Sequence, residues 1–360
     1  MQFFTDMIIN KGSDPYRIEC LQGEKVLDTR PLWEEVFFED SRAFTDYYFA
    51  QKAPSNTTFV CRHLSTGQIV SMVHLTPYDM TIRNTNVPTF YIVGVATKDS
   101  HRHRGLMSTL LKEAFNYAAL HGCPFVFLMP ADPAIYKPFG FSYVYARPQY
   151  VIPEVLKDKE VYISQFSDAC IHVKRIEREA SYQILSALSD FAAKILSAGY
   201  DYYLTRTPAY YGTLLLELYA QNGCIYTFFL HERLEGYFLY TEEEKRPFIQ
   251  ELLFSEKLRS FICFKNYVNL FPAVLPDCKP IIMAKNLLPL PMVSPAPMSL
   301  TGLPDGVGDE SKSAPFSTFA ASLSDIGPTP SSDDLFSSML QNPDYVNYLS
   351  THKGFINEIV

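Results

Sequence analysis

The run Tyr91–Ile92–Val93–Gly94–Val95–Ala96–Thr97 is apolar and β-branched, and it leads directly into Lys98–Asp99–Ser100–His101–Arg102–His103–Arg104–Gly105. From there Leu106, Leu110, Ala114 and Ala118 recur every four residues, with Met107, Leu111 and Phe115 beside them. The pattern predicts a strand, a basic turn, and an amphipathic helix that stops at Gly122. The first N–H groups of a helix have no partner within it, and the helix dipole adds partial positive charge there. Gly105 would let backbone approach a ligand closely, while Arg102, His103 and Arg104 bring cationic donors. Such a turn is suited to a diphosphate, and hence to a nucleotide-type cofactor.

Neither the GxxxxGK[ST] loop nor the GxGxxG fingerprint of the common nucleotide sites is present. What stands there, Arg102–x–x–Gly105–x–Met107 after a strand, resembles the R/Q-x-x-G-x-G/A signature of the GCN5-related N-acetyltransferases (GNAT), with Met107 in place of the usual Gly or Ala. The longer string His101–Arg102–His103–Arg104–Gly105–Leu106–Met107 is similar to the Eis-like (enhanced intracellular survival) branch, as are Tyr210–Tyr211–Gly212–Thr213–Leu214 and Ile281–Ile282–Met283–Ala284–Lys285. The resemblance implies acetyl-coenzyme A as co-substrate and no metal. Its pyrophosphate would lie on Arg102, His103, Arg104, Gly105, Leu106 and Met107. Its pantetheine arm would pair with the strand end Val95, Ala96 and Thr97, which would also donate to the thioester carbonyl. Tyr136, in the pair Ile135–Tyr136, takes the place of a general acid towards the thiolate. The base is implied to be the α-carboxylate of the last residue, here Val360, which closes the apolar ending Phe355–Val360.

The elements that must position these groups are legible in outline. Residues Tyr16–Glu19 read as a strand, Pro31–Gln51 as one or two helices, and Thr57–His63 with Gln68–Leu75 as a hairpin. The strand Thr89–Thr97 follows, then the basic turn, the helix from Gly105, and a buried strand Phe125–Met129. Asp132 is a good N-cap, Pro133 suits the first helical position, and Pro138 and Gly140 stop that helix after little more than a turn. This order is similar to the acetyltransferase fold. Further on, helical periodicity over Ala180–Leu196 and Pro208–Ala220 precedes the strand pair Ile225–Leu230 and Gly236–Tyr240, then the strand Pro247–Phe254 and the helix Glu256–Ile262.

The expected fold class is α/β with a mixed sheet, built as tandem acetyltransferase-like domains. Residues 1–155 form the first, with the cofactor site, and 156–285 a degenerate second copy without one. Residues 286–360 are a Pro/Ser-rich region and C-terminal segment, where the family's sterol-carrier-like domain would be shortened.

Composition bounds the function. The chain has 360 residues, 47% of them apolar and 19% charged, which suits a well-buried globular protein. A formal charge of −8 argues against nucleic acid as partner and favours a cationic molecule or a basic peptide. The seven cysteines are spread singly, which points away from zinc and disulfides and towards a reducing cytoplasm. His101 and His103 have no third ligand nearby, so phosphate contact or solvation suits them better than a metal. No signal or membrane-spanning run is expected. Asp46, Glu35, Glu39 and Glu358 are the acidic candidates for holding a cationic substrate.

The expected activity is direct transfer of acetyl to a primary amine of a small cationic molecule or a lysine side chain, because no cysteine has a nucleophile's context. A coenzyme A-binding regulatory protein without turnover and an assembly scaffold are the alternatives. The resemblance also implies a homo-oligomer, a hexamer.

Overall fold

The first third of the chain forms an antiparallel sheet whose central strands are buried on both faces. In the computed structural model, which describes residues 7–166, 168–243, 246–287, 349–351 and 353–355, it opens with β1 (Met7–Lys11) and β2 (Asp14–Gln22). Two short helices follow, α1 (Arg30–Val36) and α2 (Arg42–Tyr47), the second capped by Ser41, whose side chain accepts from the Phe44 N–H. Next come β3 (Thr57–His63), β4 (Ile69–Ile82) and β5 (Thr85–Thr97). Then α3 (Leu106–Leu120), β6 (Phe125–Leu128), α4 (Pro133–Tyr136) and β7 (Ser142–Val151) complete the first half.

The expected hairpin is there, but its second strand is longer than expected. β4 runs on to Ile82 and turns into β5 through Arg83 and Asn84, both at positive φ, a two-residue turn whose twist matches the strands it joins. Pro77 and Pro88 disguise this extension in the sequence. Its inner residues Met80 and Ile82 are fully buried, and that burial holds it. In α3 the stripe Leu106, Leu110, Leu111, Ala114 and Ala118 packs against Phe59, Val73, Ile92 and Val126 on one face of the sheet. The opposite face carries the cluster around Trp33, Tyr48, Val60, Met72 and Ala96.

The second half contains α5 (Lys159–Ser164), β8 (Ile171–Ile176), α6 (Tyr182–Gly199), β9 (Tyr202–Leu204), α7 (Pro208–Ala220), β10 (Cys224–Leu230), β11 (Arg233–Glu243), β12 (Arg246–Phe254) and α8 (Glu256–Phe264). A four-stranded antiparallel sheet in the order β12-β11-β10-β8 is its centre. Helices α6 and α7 bury Leu188, Leu196, Leu214 and Leu218 against Ile225, Tyr237 and Leu253 of that sheet.

One segment pairs away from its neighbours in the chain. Strand β13 (Ala273–Asn286), expected within the domain 156–285, leaves that sheet and lies in the first one, antiparallel to both β6 and β7. The first sheet therefore runs β1-β2-β3-β4-β5-β6-β13-β7, with β5 and β6 parallel. The physical reason is that β6 and β7 do not pair with each other, so each leaves a row of backbone groups that β13 satisfies. Strand β9 pairs with the far end of β4, and β14 (Gly354–Phe355) lies parallel to β9. The Pro/Ser-rich stretch lies outside the described residues. Among the described residues, no helix is long and apolar enough to cross a membrane.

Behind β9 sits a buried ion pair. Arg206 Nη2 donates to Glu251 Oε2 at 2.7 Å, and Tyr237 Oη donates to Glu251 Oε1 at 2.6 Å. The guanidinium lies over the ring of Phe355, 5.1 Å from its centre, which ties β14 to the second half. Replacing Glu251 by Ala should lower the unfolding free energy by about 3–5 kcal/mol, because it leaves a buried guanidinium without its counter-charge. The denaturant midpoint reads this, and an unchanged midpoint would show that the pair does not hold the fold.

Candidate functional site

A bulge in β5 is the local feature from which the site grows. Met72 of β4 pairs with Ala96, but His74 pairs with Val93, so the single residue Val73 faces both Gly94 and Val95. An extra residue bends a strand and raises its twist. Gly94 is at φ +58°, and a Cβ built there would stand 2.5 Å from Trp33 Cζ3, so glycine is required for both conformation and space. Beyond the bulge the parallel ladder to β6 has already ended, at Tyr91 opposite Phe127. The two strands part, and a cavity of about 640 Å³ opens between them.

One wall of that cavity is Tyr91, Ile92, Val93, Gly94 and Val95, and another is Met129, Pro130, Ala131, Pro133 and Tyr136. Trp33, Phe37, Asp40 and Phe44 close one side, and Tyr143, Arg147, Lys279, Pro280 and Ile281 the other. Tyr136 is placed by α4, whose N-cap Asp132 accepts from the Ala134 N–H at 2.8 Å, as its sequence predicts. Its ring packs edge-on against Phe141, 5.9 Å away, and burial pushes its phenol up to about 12. It keeps its proton at neutral pH and can donate it.

Of the expected pantetheine segment, Val95 lines the cavity while Ala96 and Thr97 do not. Ala96 is buried opposite Met72, and Thr97 Oγ1 is 2.8 Å from Ser71 Oγ. The strand residues that face the opening lie earlier, from Ile92 to Val95.

The basic turn is ordered by its own contacts. Arg102 donates to the Thr97 carbonyl at 3.2 Å and pairs with Asp99 at 2.9 Å. Arg104 is drawn the other way, pairing with Asp14 and donating to Tyr16 Oη at 2.8 Å, so it lashes the turn to β2. That contact holds the Asp14 carboxyl below its ordinary range. His103 and Gly105 both take positive φ, and the α3 N-terminus with Leu106 and Met107 follows directly. Leu106 is 1% exposed and Met107 packs against the core, so these two offer backbone N–H groups rather than side chains. A cation that the sequence reading passed over stands nearby: Lys11 Nζ is 3.8 Å from where a Gly105 Cβ would lie.

Asp40 is the other residue missed. Its carboxylate accepts from Trp33 Nε1 at 2.9 Å at the cavity wall, and burial raises its pKa, with the indole N–H pulling the other way. The expected acids fall elsewhere. Asp46 pairs with Arg30 at 2.5 Å and Glu35 with Lys98 at 2.9 Å, both outside the cavity lining, and Glu39 is exposed. Glu358 and Val360 lie outside the described residues. A glycine inside an apolar strand run was the available signal for the bulge. No local pattern marks Asp40, whose place depends on the indole seven residues earlier.

Beneath Gly94 the support is a buried aromatic and polar stack. Trp33 stacks on Tyr48 at 4.3 Å, and Tyr48 Oη is 3.2 Å from His74 Nδ1 and accepts from Asn56 Nδ2 at 3.0 Å. Burial pushes the His74 imidazole down to about 3, so it stays neutral. Gly94→Ala should cost about 1–3 kcal/mol of stability through overpacking and positive φ. Thermal unfolding reads this, and a variant as stable as the parent would refute the tight contact with Trp33.

Comparison with known proteins agrees with this architecture. The acetyltransferase (GNAT) domain model matches residues 17–144. No curated protein matches the sequence. Among solved structures, a probable N-acyltransferase from Enterococcus faecalis is 16% identical, with 76% of this chain and 73% of that one covered at a TM-score of 0.56. A GCN5-related N-acetyltransferase from Kribbella flavida is 14% identical, covering 77% and 72% at 0.53. Eis1 from Mycobacterium abscessus is 14% identical, covering 75% and 73% at 0.53. These likenesses concern the fold. The matched residues 17–144 span the bulge, the basic turn and Tyr136, and there the chain is similar to the GNAT acetyltransferase domain.

Proposed function

We propose that the chain is an acetyl-coenzyme A-dependent N-acetyltransferase that acts on a primary amine. The observation that carries this reading is the opening between β5 and β6, created by the Gly94 bulge, with the α3 N-terminus just beyond it in the chain and Tyr136 on its wall. The residues present fit the cofactor. A cradle that a Cβ would fill lies at Gly94, and the first-turn N–H groups of α3 follow a turn with Arg102, His103 and Lys11 around it.

Acetyl-coenzyme A, when bound, supplies the acyl group as a thioester. The chain's own groups do the rest. Edge backbone from Ile92 to Val95 holds the pantetheine arm by strand-like hydrogen bonds and presents an N–H to the carbonyl oxygen as charge develops. Leu106 and Met107 N–H groups hold the pyrophosphate, helped by Arg102 and Lys11. Arg104 serves by fixing the turn on Asp14. Tyr136 Oη gives its proton to the departing sulfur. Holding both reactants in one cavity supplies much of the rate.

The Eis-like branch is the finer reading, supported by the string His101–Met107 and by the fold shared with Eis1. We also read α6–α8 with their four-stranded sheet as a degenerate second acetyltransferase copy. The order of two helices, a strand pair, a strand and a helix supports it.

The test is thiol release from acetyl-coenzyme A in the presence of amines, with calorimetry for cofactor binding. Tyr136→Phe should lower kcat about 10²–10⁴-fold and leave acetyl-coenzyme A affinity unchanged. Full turnover in that variant would remove Tyr136 from the mechanism. Because the phenol ionises only near 12, kcat should show no alkaline fall that depends on Tyr136 below about pH 11. A fall near pH 9 that disappears in the phenylalanine variant would contradict this.

A further inference from the structure

We propose that His63 and His101 are positioning residues for the cofactor: the pair takes up a proton when a diphosphate binds at the basic turn, so that acetyl-coenzyme A is held more tightly as the pH falls. The inference rests on the acetyltransferase reading above and adds a regulation of that same site.

The two imidazoles belong to a cluster drawn from three parts of the fold. Asp14 and Tyr16 come from β2, His63 from β3, and His101 and Arg104 from the turn before α3. Tyr16 Oη is 2.8 Å from His101 Nδ1 and accepts from Arg104 Nη1 at 2.8 Å. The rings of His63 and His101 are 5.0 Å apart between centres, and the Tyr16 ring lies 5.4 Å from that of His63. His63 Nδ1 is 3.1 Å from Thr66 Oγ1. Its Nε2, on a residue only 9% exposed, has no hydrogen-bond partner among the described residues. The acid it faces is Asp14, whose Oδ1 is 3.9 Å away. Burying a polar nitrogen without a partner is unfavourable, and protonation makes this one a cationic donor opposite a carboxylate.

The charges around the pair decide when it holds a proton. Asp14 and Arg104 neutralise each other, so the imidazoles set the net charge of the cluster. Burial lowers the pKa of His101, and Arg104, His63 and Lys98 lower it further, while Asp14 pulls the other way. Tyr16, whose own pKa burial raises, stays a neutral phenol. Lys11 of β1 and Arg102 add to the positive side near Gly105. Two rings this close titrate together and share one proton before they accept a second. A diphosphate on the first N–H groups of α3, those of Leu106 and Met107, opposes the cations that keep the proton off. It raises the pair's affinity for a proton, and by linkage the proton raises the affinity for the diphosphate by the same factor. His101 is neutral at about pH 8, where the effect is absent, and the gain appears as the pH falls through the pKa of the bound state.

The experiment uses the full chain with coenzyme A and with dephospho-coenzyme A, because the 3′-phosphate of the former itself titrates at about pH 6. Calorimetry in two buffers of unlike ionisation enthalpy reads the protons taken up on binding. With dephospho-coenzyme A the parent protein should take up about half a proton at about pH 6.5, and Kd should fall about threefold or more between about pH 8 and pH 6. His63→Gln and His101→Gln should each reduce the uptake and flatten the profile, whereas a merely structural role would weaken binding alike across the range. Binding by the parent protein without proton uptake overturns the inference alone, as does an uptake undiminished in both variants. Failure to bind either coenzyme overturns the underlying reading and the inference with it.

Discussion

The contact between the Trp33 ring and the backbone of Gly94 is the constraint on which the site depends. A side chain at position 94 would meet the indole at 2.5 Å, so the strand can pass only as glycine, and only in the left-handed conformation. That conformation puts an extra residue into β5, bends it away from β6, and opens the cavity. The same indole donates its N–H to Asp40 and so fixes the carboxylate at the cavity wall. One side chain thereby sets the opening of the strands, the placing of an acid, and the packing of the aromatic stack beneath.

Burial then decides what each ionisable group does. His74, enclosed under Trp33, is kept neutral and serves as structure. Tyr136, enclosed at the cavity wall, is kept protonated and serves as a donor. Arg104 sits in a basic turn yet is neutralised by Asp14, so the turn's shape costs it one of its apparent anion-binding cations. A partial replacement comes from β1, through Lys11. Charge read along a sequence and charge available to a ligand differ here because ion pairs form between strands far apart in the chain.

Where one periodicity governs a segment, the sequence carried it. The α3 stripe, the α4 cap and stop, and the helix over Pro208–Ala220 all stand where local pattern and capping residues put them. The strand leading into the basic turn and the glycine of that turn were likewise legible. What escaped depends on long-range partners. Strand β1 exists by pairing with β2, the β4–β5 extension by burying Met80 and Ile82 beside β9, and β13 by filling a gap in a distant sheet. Asp40 has no pattern of its own, only an indole that reaches it. Acids chosen by their nearness to helices, Asp46 and Glu35, are held by Arg30 and Lys98 on the surface.

The place of β13 has a consequence for how the polypeptide is made. Its residues, near position 280, complete a sheet begun near position 7, and they bridge two strands that end before position 152. During synthesis the first sheet must wait, with the edges of β6 and β7 open, until more than a hundred further residues have emerged and α6 to α8 have had time to form. Such pairing raises contact order and slows folding, and it makes the unfinished ribbon a template for wrong partners. The cavity that holds the site is therefore among the last parts of the chain to be assembled, because Lys279, Pro280 and Ile281 of its wall arrive with that late strand. A nascent chain released early would own the basic turn and Tyr136, but no finished cleft to use them in.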